Sequence, residues 1–307
     1  MDNKSLLSIS SHVVHGYVGN RVMVFPLQYA GWDVDALNTT NYSNHPGYGS
    51  FTGSPTTPDS LVEIIEGLKK IHDFRTYDII LTGYATTADV LQAIKDELIK
   101  VFQKVGTGKR PRWIVDPILG DNGRLYVSEK VIPVYKDIFS TGYVSLITPN
   151  QFEFETLTGV KLESWQDVKE AINEFDQTYK IENIVISSVS IDGQLYCVGY
   201  TSSTKKLFSI PIREIPCNFN GCGDLFTALL SNAFYNNNFA ITPELISDVV
   251  TKLHKILEFS YEDECKKQNH TSTDEPIKLV RDIRVIGAKE FLVRDYTHEL
   301  LHEVVYL

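Results

Sequence analysis

The sequence predicts an α/β fold: a central, mainly parallel sheet flanked by helices on both faces, with a late antiparallel hairpin. Three observations predict it. Short β-branched runs alternate with longer amphipathic stretches over most of the 307 residues, the mark of successive βα units. The same runs end in polar or glycine-rich segments, as parallel strands do where they open on a ligand crevice. After Ser188 the rhythm changes to two short strands separated by a Ser/Thr-rich turn, an antiparallel hairpin.

In chain order, the expected parallel strands are residues 6–10, 34–38, 79–82, 113–115, 144–148 and 184–187. Residues 58–72 carry Leu61, Ile64, Ile65, Leu68 and Ile71 at helical spacing, and residues 88–102 carry Val90, Leu91, Ile94, Leu98, Val101 and Phe102 likewise. Ser164, with Asp167 three residues on, reads as the N-cap of a helix reaching residue 175. The hairpin strands are 195–200 and 206–212, and helices over 224–235 and 243–261 follow. Residues 262–276 are polar and charged without an apolar period and read as a mobile surface loop. Residues 277–307 show no assignable pattern. No repeat or Pro/Gly/Ser-rich linker divides the chain, so residues 1–307 read as one domain.

Composition narrows the function. With 29 Lys+Arg against 39 Asp+Glu, the net charge of -10 argues against a protein built to grip nucleic acid or an anionic membrane. At 43% hydrophobic and 22% charged, the chain can bury a large core. The longest stretch without Asp, Glu, Lys or Arg, residues 36–58, is rich in Asn, Thr, Ser and Gly and is no membrane span. The first residues lack a basic region followed by an apolar one, so a cytoplasmic location is expected, leaving nuclear access open. The four cysteines have no CxxC pairing and read as free thiols.

The polar strand ends are Ser10-Ser11-His12, Asn38-Thr39-Thr40, Thr82-Gly83-Tyr84, Asp116-Pro117, Thr148-Pro149-Asn150 and Ser187-Ser188. The strongest local feature is Asn220-Gly221-Cys222-Gly223-Asp224, running into an apolar helix. Its glycines allow a tight turn, and the helix start offers unpaired N–H groups to an anion. Asp224 is then either a simple N-cap or a base for an attacking alcohol. Asp116 and Asp121 lie five residues apart on a strand-end loop that runs to Tyr126, a spacing suited to a hydrated magnesium ion or to an Asx turn. Asn150 and Glu153, one helical turn apart, suit either a metal's water shell or a helix cap.

Three other motifs carry less. Gly106-Thr107-Gly108-Lys109 resembles the tail of a P-loop, but Arg110 replaces the required Ser/Thr and the motif precedes a strand. Gly16 and Gly19 lack the rest of a GxGxxG fingerprint, which argues against a nicotinamide dinucleotide. His298-Glu299-Leu300-Leu301-His302 is a literal HExxH, read as a surface helix and kept as a distant zinc-hydrolase alternative.

The chain resembles the pyridoxal kinases of the ribokinase-like superfamily over almost its whole length. The resemblance rests on SISSHVVHGYVGN at 8–20, FPLQ at 25–28, SNHPGY at 43–48, LTGY at 81–84, residues 116–126, ITPNQFE at 147–153 and GCGDLF at 221–226. It implies phosphorylation by ATP of the 5'-hydroxymethyl group of pyridoxal, pyridoxine or pyridoxamine. Carried over, Asp224 is the base, and the backbone of Gly221, Cys222 and Gly223 stabilises the transferring phosphoryl. Asp116, Asp121, Asn150 and Glu153 organise Mg2+, its waters and a monovalent cation, K+. Asp116, Asp121, Tyr126, Thr148, Asn150, Ser187 and Gly223 face ATP, while Ser11, Val18, Tyr42, His45 and Tyr84 form the acceptor pocket. The resemblance also implies a homodimer.

Two departures stand out. Pro46 replaces a Thr common in the family, removing one hydroxyl contact to the acceptor. Cys222 replaces the Thr of Gly-Thr-Gly-Asp, so a thiol of lowered pKa, open to oxidation, is expected beside the anion seat. The alternatives within the superfamily are a kinase for hydroxymethylpyrimidine or for a sugar. A B6-binding protein without catalysis is a further one.

Overall fold

The structure is a computed structural model that describes residues 4–104, 110–268 and 275–307. The P-loop-like motif at 106–109 lies outside the described residues.

The expected strands form. They are β1 (Lys4–Ser10), β2 (Trp32–Asn38), β3 (Ile79–Thr82), β4 (Arg112–Val115), β5 (Val144–Ile147) and β6 (Asn183–Ile191), followed by the hairpin β7 (Gln194–Thr201) and β8 (Lys206–Pro211). The short β9 (Val305–Tyr306) completes a nine-stranded sheet of order β9-β8-β7-β6-β5-β4-β3-β1-β2. From β2 to β6 all neighbours are parallel. The hairpin and β9 add antiparallel strands at the other edge.

Helices cover both faces: α1 (Asn20–Tyr29), α2 (Pro58–Lys69), α3 (Ala88–Lys104), α4 (Val131–Phe139), α5 (Gln151–Thr158), α6 (Trp165–Tyr179), α7 (Cys222–Asn236) and α8 (Pro243–Lys267). The alternation of side chains along each strand decides which helix meets which residue. Leu7, Ile9, Ile80, Trp113 and Val115 pack with α2 to α6. Leu6, Ile79, Leu81, Ile114 and Leu146 pack with α1, α7 and α8. Each fully buried Leu or Ile contributes roughly 1.5–3 kcal/mol relative to exposure, so the two apolar layers hold the strand ends in register.

Three differences from the sequence reading have local causes. Pro26 sits inside α1 and Pro133 in the first turn of α4, and both prolines interrupt the helical signal. Residues 262–267, read as mobile loop, continue α8, because Lys267 and Arg284 both bind Asp263. Of the rest of that segment, 269–274 lie outside the described residues. The HExxH residues form turns and a short 3-10 helix, Leu301–Glu303, so the two histidines do not share an α-helical face.

β1 lies between β2 and β3, so the chain leaves it to one side and returns on the other. The strand ends open there, which is where ligands bind in such sheets. Asn20 fixes this point: its amide donates to Ser10 O at 3.2 Å, Leu37 O at 3.0 Å and Asn38 Oδ1 at 2.8 Å, and its Oδ1 accepts from Ser8 Oγ at 2.7 Å.

Candidate active site

The anion turn is built as its glycines require. Gly221 has φ 85 at the N-cap of α7, and a Cβ there would come within 2.2 Å of Tyr17 O. A Cβ at Gly223 would meet nothing within 4 Å, so this helix start faces open space. The rest of α7 is anchored by buried Leu225, Phe226, Ala228, Leu229, Leu230 and Phe234, which presents its first N–H groups and dipole to the crevice.

Asp224 is not the cap. Its Oδ2 accepts the Gly19 N–H at 2.8 Å, and its Oδ1 is buried with no hydrogen-bond partner. Burial pushes its pKa up to about 6, against the opposing pull of the Gly19 bond. A carboxylate with one oxygen anchored, the other unpaired and an affinity for protons near neutrality suits a general base.

Asp116 lies across from it, 4% exposed. Thr227 Oγ1 donates to Asp116 Oδ2 at 3.0 Å and lies 3.1 Å from Thr148 Oγ1, so α7 is tied to the ends of β4 and β5. Burial raises the Asp116 pKa, and the Asp224 charge adds to it. Two carboxylates held in one buried place favour an incoming positive charge.

Of the four residues expected to organise metal, Asp116 and Glu153 are both buried, and the Asp116 charge adds to burial in raising the Glu153 carboxyl. Asp121 is exposed and accepts from Asn122 N at 2.7 Å. Asn150 and Glu153 form a capping box on α5: Asn150 Oδ1 accepts from Glu153 N at 2.8 Å, and Glu153 Oε2 accepts from Asn150 N at 2.8 Å. Glu153 Oε1 accepts the Leu119 N–H at 3.0 Å, and Asn150 Nδ2 donates to Gly120 O at 2.8 Å. The pair therefore shapes the 116–121 loop. Among the described residues, no group of three or more His, Cys, Asp or Glu is arranged to hold a metal ion.

Of the other residues expected to face ATP, Ser187 is half-buried at a bulge in β6, its N–H bonded to Pro149 O at 3.0 Å. Tyr126 is 58% exposed on the rim.

The residues expected to form the acceptor pocket lie on the loops around the switch point. Ser11 O accepts from Asn20 N at 2.7 Å and would lie 2.2 Å from a Cβ on Gly19, whose φ is 54. Val18 is buried beside Gly221. Tyr84 donates its N–H to Ser10 Oγ at 3.3 Å, and its carbonyl accepts from Thr39 Oγ1 at 2.7 Å. Tyr42 packs on Phe51 with ring centroids 4.8 Å apart. Burial raises both tyrosine hydroxyls, and that of Tyr84 is raised further by Tyr42. His45 caps the short 3-10 turn Pro46–Tyr48, Nδ1 accepting from Gly47 N at 3.1 Å, and burial lowers its pKa.

One expectation is overturned. The Cys222 thiol is pushed up to about 12, first by burial and then by the charges of Asp224 and Asp121, so it is not an activated thiolate. Two residues were missed. Gly19, set aside with an incomplete fingerprint, anchors Asp224. Thr227 had one available signal: a hydroxyl three residues after Asp224, set among Leu225, Phe226, Ala228, Leu229 and Leu230.

The phosphomethylpyrimidine kinase family model matches residues 46–239. Pyridoxal kinase from Arabidopsis thaliana is 36% identical over 94% of this chain and 91% of its own length. Human pyridoxal kinase is 32% identical over 92% of this chain and 93% of its own. Among solved structures, pyridoxal kinase from Leishmania donovani in complex with ADP and pyridoxine superposes with a TM-score of 0.83 at 28% identity, covering 96% of this chain and 97% of that one. With that identity and coverage, and with the anion turn and its aspartate in place, the chain belongs to the pyridoxal kinase family.

Proposed function

We propose that the protein transfers the γ-phosphoryl group of ATP to the 5'-hydroxymethyl group of pyridoxal, and of pyridoxine and pyridoxamine, giving the 5'-phosphate ester and ADP. The observation that carries this reading is the buried, unpaired Oδ1 of Asp224 beside the N-terminus of α7. The alcohol proton passes to that oxygen as the alcohol oxygen bonds to the γ-phosphorus and the bond from phosphorus to the β–γ bridging oxygen breaks. The N–H groups of residues 221–223 receive the charge that spreads over the equatorial oxygens. Such a transfer depends on positioning and charge neutralisation more than on covalent help.

Asp116, Asp121, Asn150 and Glu153 would organise Mg2+ and its waters, and the ion would neutralise charge on the nucleotide phosphates. Asp116 and Glu153 are the buried carboxylates of that set, and the charge of Asp224 bears on Asp116. K+ is the monovalent cation of the same proposal. Thr148, Asn150, Ser187, Tyr126 and Asp121 form the nucleotide side, and Ser11, Val18, Tyr42, His45 and Tyr84 the acceptor side. The loop from Asp121 to Tyr126 is too short to form a long flap. The reading takes residues 1–307 as one domain that pairs as a homodimer in the cytoplasm. Among the described residues no helix is long and apolar enough to cross a membrane.

The match to the phosphomethylpyrimidine kinase family favours one second reading, a hydroxymethylpyrimidine kinase. ATP consumption by the purified protein with Mg2+ and K+, comparing pyridoxal, hydroxymethylpyrimidine and ribose, separates them. Turnover with pyridoxal supports the first reading. Turnover confined to the pyrimidine supports the second, and none with any acceptor overturns both.

A further inference from the structure

The segment 281–284 reaches the acceptor side of the crevice from the far end of the chain. It follows Leu279–Val280, which pairs in parallel with Asn218–Phe219, the residues leading into the anion turn. Asp282 Oδ2 accepts a hydrogen bond from Tyr48 OH at 2.5 Å and lies 3.7 Å from His15 Nε2. Its Oδ1 fills the space beside Gly16, where a Cβ would come within 2.8 Å. The Arg281 guanidinium packs over the Tyr48 ring, 5.2 Å from its centroid, and Arg281 O accepts from Asn220 Nδ2 at 3.3 Å. Arg284 steadies the segment from behind, donating to Asp282 O at 2.5 Å and to Asp263 and Glu264 on α8 at 2.7 and 2.6 Å.

No residue of the Pro46–Tyr48 turn is buried, so core packing does not fix it. Its position depends on polar contacts, of which the Tyr48–Asp282 bond joins it to a segment 234 residues away. The turn also carries His45 at its start and lies against Asn220, whose Nδ2 would be 3.9 Å from a Cβ on Gly47. A single carboxylate thus joins residues 15–16, in the loop after β1, to the turn Pro46–Tyr48, and its neighbour Arg281 joins the same segment to Asn220 before the anion turn.

We propose that Asp282 is a positioning residue for acceptor binding: by holding Tyr48 it clamps residues 43–48 across the crevice against the anion turn. This rests on the kinase reading above. A loop held in place before the acceptor arrives spares binding the cost of ordering it. The clamp therefore acts on acceptor affinity and leaves the nucleotide side and the phosphoryl step alone.

Steady-state kinetics on the full chain test this. Asp282→Ala raises KM for pyridoxal about tenfold, with kcat and KM for ATP each changed less than about threefold, as loss of a charged hydrogen bond made in the free enzyme requires. Asp282→Asn, whose amide oxygen still accepts from Tyr48, recovers most of the loss. Tyr48→Phe matches Asp282→Ala, and the double variant is no worse than either single one. In the unliganded protein, amides of residues 43–51 exchange hydrogen faster in Asp282→Ala than in wild type. An unchanged acceptor KM, additive effects in the double variant, or unchanged exchange at 43–51 each overturns the clamp. Failure of wild type to phosphorylate pyridoxal sinks the kinase reading instead, and exchange still decides whether Asp282 holds the loop.

Discussion

The Gly19 N–H donates to Asp224 Oδ2 at 2.8 Å across 205 residues of chain, and this one bond aims the unpaired Oδ1. The loop after β1 and the start of α7 thereby share a single carboxylate, so the two sides of the proposed site are positioned together.

Asp224→Asn tests the base directly. The amide oxygen can still accept from Gly19 but is not basic, so kcat with pyridoxal falls about 10³-fold, within the usual range for removing a general base. The fold survives, because an uncharged group replaces a carboxylate that burial disfavours. Turnover within tenfold of wild type, measured by ADP release, would exclude Asp224 as the base.

The two glycines of the turn separate conformation from open space. Gly221→Ala forces a side chain into φ 85 and within 2.2 Å of Tyr17 O, and destabilises the protein by about 1–3 kcal/mol. Gly223→Ala meets no neighbour and stands in the first turn of a helix, so thermal stability holds or rises. Its methyl projects where the phosphoryl oxygens would lie, and kcat falls about tenfold through displaced hydrogen-bond donors. Paired melting curves and rates check both, and full activity in Gly223→Ala would move the phosphoryl away from this turn.

The parallel strands were legible because burial on both faces leaves short β-branched runs between amphipathic helices. α1 was not, since Pro26 breaks its local pattern while packing around Val22, Met23 and Leu27 sustains it. Within the candidate site, Asp224 and its glycines were legible because their motif is local in sequence. Gly19 and Thr227 were not, because each acts on a partner far away in sequence, 205 and 111 residues respectively. Asn150 and Glu153 show one spacing serving two readings: the hydrogen bonds show the capping box, and the role beside a metal's water shell stays part of the proposal.

Acid should switch the enzyme off through Asp224. With its pKa near 6, kcat/KM for pyridoxal falls about tenfold per pH unit below that value. Stability runs the other way. A carboxyl raised from 3.8 to about 6 on folding binds its proton more tightly in the folded state, so its contribution is full below pH 4 and is lost as pH rises through 6. Asp224→Asn therefore melts higher than wild type at pH 8, and the gain shrinks as pH falls from 6 to 4. A gain that stays constant over that range would show that Asp224 keeps its ordinary carboxylate affinity.

Thr227→Val keeps the shape of the side chain and removes its hydroxyl. Asp116 Oδ2 then loses the donor at 3.0 Å, and Thr148 loses its partner at 3.1 Å, in a place closed to solvent. A buried acceptor stripped of its partner costs about 1–3 kcal/mol, so the variant melts lower. The Thr227 bond favours the ionised form of Asp116, so its loss raises that carboxyl further and shifts the pair Asp116 and Asp224 toward sharing a proton. A neutral Asp116 no longer opposes ionisation of Asp224, so the acid limb of kcat/KM moves to lower pH. Thr227→Ser, which keeps the donor, leaves the limb in place. A Thr227→Val enzyme that melts lower while its pH profile stays at the wild-type position would make Thr227 a packing residue with no hold on the electrostatics of the site.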